Sequence, residues 1–307
     1  MTSGPLLGGA LIALVGWRWI FFVNLPIGLA GLWLSLRYAT ETTRSPQREI
    51  DLPGQIAAIA CLGCLAGAII EGGSRGWSNP LVIAGFAASG TLAILFVLQE
   101  RRAPQPMLPL SLFYRRRFAL TSLVGLLVNV AFYGLIFVFS LYFQRVNGWS
   151  AFTTGLAFLP MMGVVLPANL VAARVSERIG APATIAVGAT LSAAGCLALL
   201  GLEPGTSYFG IGAQLTVIGG GLGLLVPPLT STLLGSVEKS RSGIAAGVLN
   251  ATRQTGSVLG VALFGSLVGQ AGTFMAGAHE ALVISTCLLL AAGAVIWRAA
   301  ADSEGKA

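Results

Sequence analysis

Four polar side chains recur within one apolar stretch near the end of the chain: Asn250, Arg253, Gln254 and Ser257. Their spacing of i, i+3, i+4 and i+7 places them on one face of an α-helix. Because a guanidinium in hydrocarbon is costly unless it is paired, this face is expected to meet protein or a wet cavity. Asn250, Arg253 and Gln254 are therefore candidates for contacting a bound small molecule or an acidic partner. A clamp between helices, in which Arg253 only orients its own helix, is the alternative interpretation.

A second stripe joins an amide to aromatic rings, since Asn129, Tyr133, Phe137 and Ser140 follow one another at i, i+4, i+8 and i+11. Such a face suits large amphipathic molecules, many of them cationic, because aromatic rings offer stacking and cation–π attraction. Asn129, Tyr133 and Phe137 are the candidates for this contact. An ordinary helix-packing face explains the same spacing equally well.

Residues suited to proton, metal or covalent chemistry are few. Glu71 is the one acid at the end of an apolar run. It is a candidate proton-carrying acid, and an interfacial helix cap is the alternative interpretation. His279 is the one histidine. Cys61 and Cys64 form a C-x-x-C without a second pair or a histidine ligand, which indicates small packing residues. The chain contains no H-E-x-x-H and no phosphate-binding G-x-x-x-x-G-K-[ST] motif. It therefore predicts no catalytic site, no metal site and no cofactor, and an enzyme is not expected.

The composition indicates what surrounds these residues. Only 9% of the 307 residues are charged, 55% are hydrophobic, and the mean hydropathy is +0.83. A soluble domain carries roughly a quarter charged residues, so this chain has too few polar side chains to cover a surface exposed to water. It is therefore predicted to be solvated by lipid. The net charge of +7 does not indicate nucleic acid, because most of the basic residues fall in short gaps between apolar runs.

The apolar runs predict an all-α, polytopic bundle of about ten membrane spans. A helix needs about 20 residues, at about 1.5 Å each, to cross a hydrocarbon core of about 30 Å. Nine runs are long enough: Ile20–Tyr38, Leu52–Ile70, Pro80–Leu98, Leu120–Phe143, Gly155–Ala173, Ala183–Leu202, Phe209–Leu229, Ile244–Val268 and Ala281–Trp297. A tenth run, Leu6–Val15, is shorter and is expected to be the end of a helix.

Basic residues assign a direction to these spans. If the loops alternate between the two sides, fourteen of the 18 Lys and Arg residues fall on one side and three, Arg18, Arg75 and Arg145, on the other. Arg253 remains inside a span. Short loops rich in Lys and Arg stay in the cytoplasm. We therefore expect a multi-pass protein of the cell (inner) membrane with a cytoplasmic C-terminus.

Three stretches resemble a known family. Gly4-Pro5-Leu6-Leu7-Gly8-Gly9 is similar to the antiporter motif of the major facilitator superfamily, and the stretch 17–28 is similar to the W-R-W-x-F-x-x-N-x-P-x-G signature of its fourteen-span drug:proton antiporter branch. The stretch from Leu141 to Pro160 resembles the ninth and tenth helices of that branch. The stretch from Ser242 to Ala262 resembles its thirteenth helix.

The resemblance implies a division of the chain. Its ten spans match helices five to fourteen of the branch, so helices one to four are expected to be missing. Residues 1–98 would hold the end of the N-terminal half and two extra central helices, and residues 99–118 a cytoplasmic linker. Residues 119–298 would form a six-helix C-terminal half, followed by a cytoplasmic tail over 299–307.

The antiporter motif has a physical interpretation. Gly4, Gly8 and Gly9 leave a helix surface without side chains, which another helix can approach closely, and Pro5 can bend the span. The resemblance implies a contact between the two halves that seals one side of a pathway. Ordinary packing of small residues is the alternative.

The resemblance implies a transporter that exports drugs or other hydrophobic or cationic small molecules. Alternating access, coupled to protons across the lipid bilayer, is the mechanism implied, and nucleic acid is not an expected partner. A truncated, transport-inactive membrane fragment of such an exporter is the alternative. A membrane-embedded enzyme or sensor would require clustered His, Asp or Cys at membrane depth, or a soluble domain, and the sequence shows neither.

Overall fold

The computed structural model describes residues 4–38, 51–103, 106, 108–238, 242–269 and 274–304, and these residues form α-helices without a β-strand among them. The predicted all-α class is confirmed. The helices are α1 Gly4–Val15, α2 Trp19–Phe22, α3 Asn24–Tyr38, α4 Leu52–Arg75, α5 Pro80–Arg102, α6 Arg116–Leu141, α7 Ala151–Ala157, α8 Leu159–Ile179, α9 Ala181–Ala198, α10 Tyr208–Gly235, α11 Ser242–Val268 and α12 Phe274–Glu304. Two 3-10 turns, Leu110–Leu112 and Leu199–Gly201, and a π-helical turn, Tyr142–Val146, lie between them.

The long helices coincide with the predicted membrane spans. Within the described ranges, eight segments are long and apolar enough to cross a membrane. α11 is also long enough, at 27 residues, but its polar stripe lowers its mean hydropathy. α1 has only 12 residues, whereas a complete span needs about 20. Length and composition thus make the chain a multi-pass membrane protein.

Two predicted spans are each divided into two helices, and proline explains both breaks. α2 ends at Phe22 and α3 begins at Asn24, just before Pro26, while α7 ends at Ala157 and α8 begins at Leu159, just before Pro160. Proline has no backbone N–H, so the carbonyl four residues earlier loses its helical hydrogen bond. The helix therefore ends or bends one turn ahead of each proline.

Several helices extend beyond their apolar runs, into the predicted linker and tail. α5 continues to Arg102, α6 already begins at Arg116, and α12 continues to Glu304. Basic residues in the last turn, such as Arg101 and Arg102 in α5, interact favourably with the carbonyl end of a helix. Residues 104, 105 and 107 of the linker and 305–307 of the tail lie outside the described residues.

α6 to α12 form one bundle around a shared core. α10 packs against α8 and α9, α12 packs against α9 and α6, and α11 packs against α6. The largest buried side chains are aromatic, and they include Phe139, Tyr142, Phe143, Phe158 and Phe264. Because lipid tails are as apolar as these side chains, close packing rather than removal from water stabilises such a bundle.

Glycines allow the helices of this bundle to cross closely. A Cβ built on Gly256 of α11 would lie 2.8 Å from the Cβ of Asn129 and 3.0 Å from the carbonyl oxygen of Leu126, both on α6. One turn later, a Cβ on Gly260 would overlap the carbonyl oxygen of Val130. The backbones of α6 and α11 touch here because both positions lack a side chain.

Among the described residues, α4 and α1 make the main contacts between the helices before the bundle and the bundle. α4 and α5 pack together, and α4 contacts α11 where a Cβ on Gly73 would lie 2.5 Å from the Cβ of Ser266. α1 packs against α7. Every residue of α3 is exposed. Lipid can solvate such an apolar helix surface.

We expect Gly73→Val to displace α4 and α5 from the bundle, because the new side chain meets both backbone and side chain of Ser266. Overpacking of this kind costs about 1–3 kcal/mol. Hydrogen–deuterium exchange should become faster in α4 and around Ser266. Gly63→Val is the matched control on the same helix, because a Cβ at Gly63 has no atom within 4 Å. Equal exchange in the two variants would contradict this contact.

Candidate functional site

A cavity of about 340 Å³ lies among α6, α8, α10 and α11 in the bundle. Its walls are mostly aliphatic and aromatic side chains; Phe132, Met162, Leu166, Leu222, Val226 and Leu249 are among them. Four polar side chains also line it, namely Asn129, Tyr133, Asn169 and Arg253. Small-molecule sites in proteins have this character, a concave apolar space with a few polar groups that orient the ligand.

Arg253 brings a positive charge to the cavity. It lies 11 residues after the first residue of α11 and 15 before the last, far from either end of the helix. Its Nη2 donates a hydrogen bond to the hydroxyl oxygen of Thr230 on α10, at 3.1 Å. None of the described residues lining the cavity is an Asp or a Glu. The structure thus places Arg253 in a protein-lined cavity, as expected of an intramembrane guanidinium.

The wall formed by α6 supplies Asn129 and Tyr133, both predicted as candidates. Asn129 uses its Nδ2 to donate to the carbonyl oxygen of Gly125, one turn earlier on the same helix, at 2.7 Å. This bond fixes the amide group at the edge of the cavity. The close crossing of α6 and α11 at Gly256 then places Asn129 and Arg253 on the same cavity.

Asn169 of α8 was not predicted from the sequence, although it lines the same cavity. Its Oδ1 is buried and has no hydrogen-bond partner in the described structure. A buried acceptor without a hydrogen bond costs free energy, so this oxygen can accept a hydrogen bond from a donor group on a ligand. The available signal was one amide within the apolar run Gly155–Ala173, without a second polar residue at helical spacing to form a stripe.

Three of the predicted candidates lie elsewhere. Asn250 and Gln254 are exposed on α11, about 60° and about 100° around the helix from Arg253 and on the same side of it. Phe137 lines a separate cavity of about 460 Å³ between α4, α6 and α11, next to Gly265. The structure therefore does not bring these three side chains to the cavity around Arg253.

The glycines of the antiporter motif differ in their surroundings. Gly4 and Pro5 lie in the first turn of α1. Gly9 is buried against α7, where an added Cβ would lie 2.6 Å from the carbonyl oxygen of Ala151 and 3.0 Å from the Cα of Phe152. A Cβ on Gly8 would have no atom within 4 Å. Within the motif, Gly9 thus makes the backbone contact between α1 and the bundle.

A smaller cavity, of about 220 Å³, adjoins this contact. Gly8, Gly9 and Ile12 of α1 line it together with Ser140, Gln144 and Thr154 of the bundle. Gln144 Nε2 donates to the carbonyl oxygen of Ser140 at 3.1 Å, and the buried Oγ1 of Thr154 has no partner in the described structure. Ser140, the last member of the aromatic stripe, therefore lies beside α1 rather than in the cavity around Arg253.

The π-helical turn after α6 forms part of this end of the bundle. It buries Tyr142 and Phe143; the Tyr142 hydroxyl donates to the carbonyl oxygen of Glu203 at 2.8 Å. Phe143 stacks on Trp149 with ring centroids 5.0 Å apart, and Tyr208 packs against both rings. Single π-helical turns inside helices are frequent at functional sites. Here the turn positions the start of α7, on which α1 rests.

The remaining candidates lie near helix ends. Glu71 forms an ion pair with Arg75 in the last turns of α4, with 40% of its side chain exposed. The Nε2 of His279 donates to the carbonyl oxygen of Leu202 at 2.9 Å. Cys61, Cys64, Cys196 and Cys287 are free thiols. Among the described residues, no three His, Cys, Asp or Glu side chains are grouped so that they could hold a metal ion.

Comparison with known proteins identifies the family. The sequence profile of the Major Facilitator Superfamily matches residues 1–261. The methylenomycin A resistance protein of Bacillus subtilis (strain 168) is 33% identical over 305 residues, which are 99% of this chain and 65% of that protein. The multidrug resistance protein Stp of Mycobacterium tuberculosis (strain CDC 1551 / Oshkosh) is 35% identical over 267 residues, 87% of this chain and 50% of that protein. The tetracenomycin C resistance and export protein of Streptomyces glaucescens is 30% identical over 270 residues, 87% of this chain and 50% of that protein.

The chain thus spans between 50% and 65% of the length of these curated relatives. The profile match covers most of the chain, including α1 with its glycine motif and the cavity that holds Arg253. Together with eight segments that are long and apolar enough to cross a membrane in the described part of the chain, this match identifies the class of protein. The chain belongs to the major facilitator superfamily.

Proposed function

We propose that this protein exports drugs or other small amphipathic molecules across a membrane by alternating access. The cavity around Arg253 is the observation that carries the proposal. It is apolar enough to receive a hydrophobic body and has four polar side chains that can orient it. A transporter site requires both properties, because a cargo must be held in the membrane and then released.

The relatives support the same function by their names. They are proteins named for resistance to methylenomycin A, for multidrug resistance, and for resistance to and export of tetracenomycin C. The identity to each is about one third, and the matched lengths are 87% to 99% of this chain. Export by this chain is our proposal from that similarity and from the geometry of the cavity.

We assign the chain to the fourteen-span drug:proton antiporter branch, as helices five to fourteen, in the inner membrane with a cytoplasmic C-terminus. The contact of Gly9 with Ala151 supports the view that α1 seals against the C-terminal half. Proton coupling rests on the resemblance alone, because Glu71, the predicted acid, is already paired with Arg75 at the end of α4.

An efflux assay tests the proposal. We expect expression of the chain in a host without its own efflux pumps to raise tolerance to several antibiotics and dyes, and to lower dye accumulation. A protonophore should abolish both effects if protons drive export. Tyr133→Leu should weaken export several-fold, whereas Phe209→Leu should not, because the Phe209 ring is 86% exposed and lies outside the cavity.

Unchanged tolerance and unchanged dye accumulation, with the protein inserted in the membrane, would contradict export by this chain. That result would favour the alternative of a transport-inactive fragment. Export that persists without a proton gradient would contradict the coupling and leave the transporter assignment in place.

A further inference from the structure

We infer that the cavity around Arg253 binds amphipathic anions, with the carboxylate or sulfonate of the ligand against the Arg253 guanidinium and its apolar body against α6, α8 and α10. This inference rests on the proposed function, since it specifies the class of molecule that the cavity would accept. It differs from the cationic class that the aromatic stripe alone suggested.

Arg253 has hydrogen-bonding capacity left. A guanidinium carries five N–H donors in a rigid fork and no acceptor. In the described structure one of them is used, for the neutral hydroxyl of Thr230. Arg253 lines a cavity whose walls are mostly apolar, where water competes poorly for the remaining donors. A carboxylate or sulfonate fits this fork with two parallel, charge-assisted hydrogen bonds.

The described bundle offers no carboxylate at the depth of Arg253. Glu177, Glu203, Glu238 and Glu280 lie in loops or within two turns of a helix end. Arg253, by contrast, lies 11 residues inside α11. A cation at membrane depth is expensive without a counter-charge, and an anionic ligand would supply it. A cationic ligand would instead meet an uncompensated like charge in a medium of low dielectric constant.

The cavity also offers contacts for the rest of the ligand. The orphaned Oδ1 of Asn169 accepts a hydrogen bond from a hydroxyl or amide N–H on the ligand. Phe132 and Tyr133 offer ring faces, and the aliphatic walls receive a hydrocarbon body. The cavity volume of about 340 Å³ is at the small end of ligand sites, which favours a compact ligand.

Three probes of nearly equal shape test this inference: 4-phenylbutyrate, 4-phenylbutylammonium and neutral 4-phenylbutyramide. Their saturable binding is measured by equilibrium dialysis with radiolabelled compounds on the full chain, purified in neutral detergent. We expect the carboxylate to bind at least about tenfold more tightly than the other two, as one charge-assisted pair implies. This comparison uses the unmodified protein and does not depend on how a variant folds.

Variants then locate the preference. Arg253→Gln, which removes the charge but keeps a polar amide, should remove the preference for the carboxylate, and Arg253→Lys should keep part of it because the charge remains. Arg145→Gln is the matched control, since it removes one arginine at an exposed position outside the cavity. It should leave the preference unchanged.

Equal or tighter binding of the ammonium probe, no saturable binding of the carboxylate, or an unchanged preference in Arg253→Gln would each overturn the inference. These outcomes are separate from the efflux assay. A protein that prefers the carboxylate through Arg253 but confers no tolerance would contradict export and uphold the anion site. Export of cations together with no preference for the carboxylate would support export and contradict the anion site.

Discussion

Replacing Gly260 with valine is expected to prevent α6 and α11 from packing together and to destabilise the whole bundle. A Cβ at Gly260 would overlap the carbonyl oxygen of Val130 and lie 3.1 Å from the backbone N of Gly134. Backbone atoms cannot rotate away as the end of a flexible side chain can. We expect the free energy of unfolding to fall by about 3 kcal/mol, which is the upper end of usual overpacking penalties. The two methyl groups of valine add to the overlap made by its Cβ.

The effect should reach the cavity as well as stability. Gly256, one turn earlier, allows the close approach that places Asn129 and Arg253 on one cavity. Separating the helices at Gly260 would widen this crossing. Binding of 4-phenylbutyrate should therefore weaken even in the fraction of protein that remains folded.

Gly247→Val on the same helix is the control. A Cβ at Gly247 has no atom within 4 Å, so the two variants share the change in residue type and helix propensity and differ in the contact. Thermal unfolding in detergent and elution as a single monodisperse species are the measurements. If Gly260→Val unfolds at the same temperature as Gly247→Val, the close crossing of α6 and α11 is not the contact that stabilises the bundle.

Gly9→Val should separate α1 from α7 and, on the proposed function, abolish export. Its Cβ would lie 2.6 Å from the carbonyl oxygen of Ala151 and 3.0 Å from the Cα of Phe152, so α1 must move as a body. The motion would open the small cavity that Thr154 lines. Because Thr154 is 3% exposed, a cysteine introduced there should become several-fold more reactive towards a water-soluble maleimide when α1 is displaced.

The adjacent glycine provides the control for this prediction. Gly8 also lines the small cavity, but its Cβ would have no atom within 4 Å. Gly8→Val should therefore leave both the labelling of Thr154→Cys and the efflux of dye close to those of the unmodified chain. Equal loss of export in the two variants, with equal labelling, would show that the motif does not act through the contact with Ala151.

The sequence by itself determined the helical class, the position of the long spans and the depth of Arg253. The reason is that an apolar run of about 20 residues has one stable arrangement in lipid, a helix whose backbone hydrogen bonds are all internal. Proline also acts locally, and the breaks at Phe158 and Val23 follow from Pro160 and Pro26. Helix ends were less predictable, because charged last turns such as that of α5 continue a helix beyond its apolar run.

Only the tertiary structure decided which side chains meet. Residues Arg253 and Gln254 are about 100° apart around their helix, so the polar stripe is wide enough to lie partly on the cavity and partly on an exposed surface. The crossing with α6 decides which part is which, and Asn250 and Gln254 are exposed as a result. Asn169 of α8 and Thr230 of α10 also contribute to the site. The spacing of residues along one helix does not predict which residues of another helix lie beside them. The same holds for Gly8 and Gly9: both lack a side chain, but only Gly9 lies where α7 approaches.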